Sequence, residues 1–151
     1  MTRPTPPFAA LVLALLLSHC GGGDDSPPTD EELLERFVGR VTGVVDGPMM
    51  TGALSYVQLS EVPLDVSVPH YQGVYREGGE EDLTKRYRTQ MRQQFGGSEL
   101  KVRTHKITIE GTEAKVMIRL KTARGPIRVQ TELRKIDSGW KVSKVHAEPG
   151  L

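Results

Sequence analysis

An α+β fold, three helices packed on one face of a curved antiparallel sheet, is what the sequence predicts. Three observations predict it: a capped helical period after residue 29, a second apolar stripe from Leu83 to Phe95, and strand alternation through most of residues 100–145. The predicted order is α-α-β-α-β-β-β-β. Helices gathered on one face of such a sheet make a cone.

Each element has a local cause. Thr29-Asp30-Glu31-Glu32 is a capping box, in which Thr29 caps the helix and Glu32 reaches back to it. Leu33, Leu34, Phe37, Val38, Val41, Val44 and Val45 follow at helical spacing until Asp46-Gly47-Pro48 stops the run. Met49–Ser60 reads as a weaker helix, with Met50, Ala53, Leu54 and Val57 on one side. Leu64, Val66 and Val68 alternate with Asp65 and Ser67, the pattern of a short strand. Pro69–Gly79 reads as a loop. A third helix is expected over Glu80–Phe95, with Glu80, Glu81 and Asp82 at the positive end of its dipole. Its stripe is Leu83, Tyr87, Met91 and Phe95.

The remainder is strands. Leu100–Ile109 alternates, but its apolar phase flips near Thr104–His105, which predicts a bulge. Ala114, Val116, Ile118 and Leu120 share one face of the next strand; Ile127, Val129, Thr131 and Leu133 repeat the pattern. Asp137-Ser138-Gly139 turns the chain into a last strand, Trp140–Val145.

Ahead of the fold lies an address. Met1–Pro7 carries Arg3 and no acid, and Phe8–Leu17 is an unbroken apolar run. That run is shorter than the ~20 residues a membrane crossing takes, and a basic start with a short apolar run is the pattern of a secretory signal. Leu17-Ser18-His19-Cys20 then resembles the bacterial lipobox, departing from it at His19, where Gly, Ala or Ser is usual. The resemblance implies that Cys20 is lipidated and becomes the mature N-terminus. Gly21–Pro28 reads as a flexible tether. Residues 1–19 are thus expected to be a signal peptide and 20–28 the lipobox cysteine and tether. The expected location is the bacterial cell envelope, with the protein exported and held to a membrane through its lipid anchor.

The ending Leu133-Arg134-Lys135-Ile136-Asp137-Ser138-Gly139-Trp140-Lys141-Val142 resembles the NTF2-like (cystatin-like α+β) superfamily, whose members often close with a strand, a short turn and Trp-Lys-Val. Ile109–Val116 resembles a hairpin common there. The resemblance covers Asp30 to His146 and makes residues 29–147 an NTF2-like domain. It implies a conical fold with a pocket between sheet and helices. Tyr56, Tyr71, Tyr87 and Trp140 are candidates to line that pocket, with Trp140 first of all an anchor for the sheet. Some relatives are ketosteroid isomerase-like or polyketide cyclase-like enzymes; many others bind or assemble without chemistry, and fold alone does not choose.

Catalysis in such a pocket needs a carboxylate or histidine with a shifted pKa and a donor for a developing oxyanion. Asp65 and His70 are the weak candidates for a dyad, with Tyr56 and Tyr87 as donors. His105 stands at the expected bulge. His19, His70, His105 and His146 have no metal-ligand spacing, and no glycine-rich phosphate loop follows a strand, so neither metal nor cofactor is expected. With Cys20 as the one cysteine, no intramolecular disulfide can form.

The charge is segregated. The chain carries 20 Lys+Arg and 19 Asp+Glu, net +1. Asp24–Asp82 holds 13 acids and 3 bases, net −10, whereas Leu100–His146 holds 12 bases and 4 acids, net +8. Lys101, Arg103, Lys115, Arg119, Lys121, Arg128, Arg134 and Lys141 alternate with apolar residues and are expected on the outer sheet face. Such a face suits an anionic envelope component, or simply stays solvated and balanced by the acidic helices; a homodimer through the sheet is a further partner it allows. A small apolar ligand suits the cone. Nucleic acid does not fit an exported chain with few aromatics. The expected function is therefore a membrane-tethered, non-catalytic binding or assembly module, with the isomerase or cyclase as alternative.

Overall fold

The computed structural model describes residues 26–41, 43–44, 48–69, 71–95 and 99–150. The capping box forms as expected. Thr29 Oγ1 accepts the Glu32 N–H and Glu32 Oε2 accepts the Thr29 N–H, both at 3.2 Å. Helix α1 spans Asp30–Arg40 and buries Leu34, Phe37 and Val38. It ends five residues before the expected Val45. Its C-cap is Val41, whose N–H donates to Val38 O, and Gly39 together with the β-branched residues that follow Arg40 favours extended chain over another turn. The chain instead forms β1 (Gly43–Val44), an edge pairing with β4 (Glu99–Glu110).

The second expected helix is not α-helical. Pro48–Tyr56 is a 3-10 segment. Its starting proline lacks an N–H, and Gly52 and Ser55 weaken propagation. The Ser55 hydroxyl donates to Gly52 O at 2.7 Å, a local bond that competes with the longer helical repeat. Two α-helices are present among the described residues, rather than three.

Strand β2 is Leu64–Val68. The expected loop after it contains a further strand, β3 (Tyr71–Tyr75), paired antiparallel to β2 from Leu64↔Tyr75 to Val68↔Tyr71. Helix α2 then covers Glu80–Phe95, burying Leu83 and leaving Tyr87, Met91 and Phe95 partly buried. Strands β4, β5 (Glu113–Thr122), β6 (Gly125–Ile136) and β7 (Gly139–Pro149) form an antiparallel meander. Gly125 and Gly139 hold φ of 115° and 114°, a region a Cβ makes costly, where β6 and β7 begin.

The seven strands lie in the order β1-β4-β5-β6-β7-β2-β3. The sheet is mixed rather than antiparallel throughout, because β2 pairs parallel with β7 through Asp65↔Lys144, Val66↔Val145 and Ser67↔His146. The expected phase flip is real: the register shifts between Val102 and Thr104, leaving Arg103 without a cross-strand partner. A second shift sets Leu133 opposite Val142, past Ser143, whose hydroxyl donates to Glu132 O at 3.2 Å.

One core joins the layers. Val116 and Ile118 of β5 are fully buried, as is Leu34 of α1, with Phe37, Leu133, Val142 and Trp140 beside them. Burying side chains of this size contributes about 1.5–3 kcal/mol each. Polar groups lock the start of α1 to the β6–β7 hairpin. Asp30 Oδ1 accepts from Trp140 Nε1 at 3.0 Å and pairs with Lys135 Nζ at 2.8 Å.

Candidate functional site

The expected pocket aromatics fall into separate settings. Tyr56 ends the 3-10 segment and meets Phe37 edge-on, with ring centroids 4.9 Å apart. Tyr71 stands 6.1 Å from Tyr75, and the Arg86 guanidinium lies over the Tyr71 ring at 5.0 Å. Burial, aided by the Tyr71 hydroxyl, pushes the Tyr75 hydroxyl well above the ordinary phenol range; burial alone raises that of Tyr87. Trp140 is only 4 % exposed, its N–H committed to Asp30. These residues act as wall and anchor, and none lines either of the two clefts described below.

Asp65 is exposed on β2, in register with Lys144 and Val74. His70 lies outside the described residues, as does Cys20. His105, on the core side of the bulge, instead meets α1: its Nε2 stands 3.0 and 2.9 Å from the two carboxylate oxygens of Glu35. Sequence alternation contains no sign of that partner, which is 70 residues away. Among the described residues no group of three His, Cys, Asp or Glu could hold a metal ion.

The outer sheet face resolves into cross-strand rows. In one, Lys115, Glu132, Lys144 and Asp65 follow one another across β5, β6, β7 and β2, alternating in sign; Lys115 Nζ is 3.9 Å from Glu132. In the next, Lys106 of β4 is followed by Met117, Gln130, His146 and Ser67, so the row carries one lysine and no carboxylate. A third row contains Thr104, Arg119, Arg128 and Glu148. Arg134 and Lys141 face each other near the hairpin, and Lys101 faces Lys121 at the opposite end.

Two clefts are built on this frame. The smaller, about 520 Å³, lies between Glu35 and Gly39 of α1 and Glu99, Lys101 and His105 of β4. Its charges are matched internally, His105 with Glu35 and Lys101 with Glu99 at 3.6 Å. The larger, about 700 Å³, is lined by Arg103, Thr104, Arg119, Ile127, Arg128 and Glu148, with Pro126, Pro149 and Gly150 as its rim. The Gly150 N–H donates to Pro126 O at 2.8 Å, tying the end of the chain to the start of β6. Arg128 pairs with Glu148, which also accepts from His146 at 3.4 Å. Among the described residues Arg103 and Arg119 make no ion pair or side-chain hydrogen bond. Three of the eight expected basic residues therefore converge in one place. Glu148 and the rim were not legible, because the last strand runs to Pro149 rather than Val145.

Solved structures carry the same architecture. A protein of unknown function with a cystatin-like fold from Nostoc punctiforme PCC 73102 is 20% identical over 83% of this chain and 98% of its own, at a TM-score of 0.57. An NTF2-like protein with a cystatin-like fold from Novosphingobium aromaticivorans aligns over 97% of this chain and 92% of its own, at 12% identity and a TM-score of 0.57. A Kribbella flavida protein reaches 0.60 at 15% identity, over 81% of this chain and 91% of its own. No protein-family model matches the sequence, and no curated protein matches it either. The chain therefore has the NTF2-like, cystatin-like α+β fold, and at these identities the likeness is one of fold.

Proposed function

We propose that this protein is an exported, membrane-tethered binding module without chemistry of its own, which meets an anionic component of the cell envelope through its sheet face. The observation that carries the reading is the uneven pairing across that face. Charges alternate in sign on the row through Lys115 and Asp65, whereas Arg103 and Arg119 are left without carboxylates among the described residues. Like charges on neighbouring strands cost a few tenths of a kcal/mol or more per pair, so a fold that tolerates them here gains by binding negative charge. Asp65, exposed and opposite Lys144, is poorly placed to act as a desolvated base. Among the described residues no helix is long and apolar enough to cross a membrane. Attachment is assigned to Cys20, on the strength of the apolar run and lipobox-like residues before it.

Expression of the full chain in a bacterium, followed by fractionation and mass spectrometry, tests the tether. The expected result is a membrane-bound form whose N-terminus is diacylated Cys20, with Cys20→Ser shifting the protein to the soluble fraction. A mature form lacking Cys20, or carrying it unmodified, overturns the anchor.

A further inference from the structure

The geometry points to the cleft at the β4 bulge as a binding site for a phosphate monoester, held by Arg103, Arg119 and Arg128. It rests on the reading of the basic sheet face given above and narrows it to one place and one chemistry. Arg119 and Arg128 are opposite each other on β5 and β6, which brings two guanidinium-bearing chains side by side with Cβ atoms about 5 Å apart. Arg103 stands beside them on β4: with Val102 opposite Leu120 and Thr104 opposite Arg119, the register shift leaves it as the extra residue next to Arg119, and all three line the one cleft; a bulge re-aims side chains locally.

Charge then selects the ligand. The cleft holds three guanidinium groups and one carboxylate, Glu148, which is engaged with Arg128 and His146. The surplus of two positive charges matches a phosphate monoester, which carries about −1.5 to −2 near neutral pH. A single carboxylate would leave half of that surplus unmatched. Arginine forks also suit phosphate oxygens, donating to two of them at a time. A cleft of about 700 Å³ is of the size that takes a whole small molecule, so it admits the group bearing the phosphate as well. Ile127 and the Pro126–Pro149 rim supply an apolar wall for that group. The phosphate can come from a lipid headgroup or from a soluble metabolite-like compound.

Two arms separate those sources. Calorimetric titration of the full chain with glycerol 3-phosphate tests the soluble form. Co-sedimentation with phosphatidylcholine vesicles, with and without phosphatidic acid, tests the lipid form. Binding in at least one arm is expected. Arg103→Gln and Arg119→Gln should each weaken it by about tenfold or more, as expected for loss of a charge-assisted fork. Glu148→Gln should tighten it a few-fold by freeing Arg128. Arg134→Gln and Lys141→Gln, on the same face but outside the cleft, should leave it unchanged. No binding in either arm overturns the proposal. So does an equal loss in all four basic variants, an outcome that leaves the broader sheet-face reading standing while removing this site. Failure of the Cys20 anchor bears on neither arm.

Discussion

Asp30 links local and tertiary structure in one side chain. It sits in the first turn of α1, where a carboxylate suits the helix dipole, and it receives Trp140 Nε1 and Lys135 Nζ from the β6–β7 hairpin. The Lys135 and Trp140 hydrogen bonds hold its carboxyl below the ordinary carboxylate range. A group whose pKa is lowered by folding contributes stability above its unfolded pKa, near 4, and that contribution is lost as pH falls through the folded value. Thermal melts from neutral pH down to about pH 2 should therefore show an acid destabilisation that is smaller in Asp30→Asn than in the parent. At pH 7 the variant should be the less stable of the two, having lost the Lys135 pair. Equal acid slopes in both proteins would count against the assignment.

At the level of elements, α1 is anchored at its start by polar contacts and along its middle by both apolar and polar ones. The capping box starts it, Leu34, Phe37 and Val38 bury its inner face, and Glu35 reaches His105 on β4. Thr29→Ala removes the cap and should cost about 1 kcal/mol. For a domain of this size that is a fall in melting temperature of about 4 °C, readable by circular dichroism. Thr29→Ser should keep most of it. Strand β3, in a segment whose residues resemble a loop, shows how an element depends on its partner. Tyr71, Val74 and Tyr75 have strand preference, yet Gly73 interrupts them. A Cβ at Gly73 would come within 2.5 Å of the Tyr71 hydroxyl, so glycine gives that ring room. The pairing with β2 supplies the hydrogen bonds.

Across the whole molecule, the acidic run before residue 83 and the basic run after residue 99 meet in one fold. Lys135–Asp30 and His105–Glu35 join the two runs; other ion pairs, such as Arg86–Asp82 and Lys115–Glu132, lie at the surface, and exposed pairs of this kind contribute about 0–1 kcal/mol each. Salt should therefore change the stability of the fold little. Attachment to an anionic surface should respond strongly, because the Debye length shrinks from about 10 Å at 0.1 M to about 3 Å at 1 M. Co-sedimentation with anionic vesicles should fall steeply over that range while the melting temperature moves by only a few degrees; parallel changes in both would contradict a long-range electrostatic role for the face.

The sequence by itself determined what depends on neighbours along the chain. It set the capping box at Thr29, the α2 stripe from Leu83, the hairpins of β4 to β7 and the phase flip near Thr104, because capping, periodicity and turn chemistry act over a few residues. It also made the α+β class and the basic alternation readable. Tertiary structure decided the rest. Val44 became a strand because β4 offered an edge, β2 joined β7 in parallel across some 80 residues of chain, and Glu35 found His105. The cleft of Arg103, Arg119 and Arg128 was completed by an extended β7, which brings Glu148 and Pro149 to it. Such pairings are chosen by the energy of contacts between distant segments, and no local pattern encodes which segments will meet.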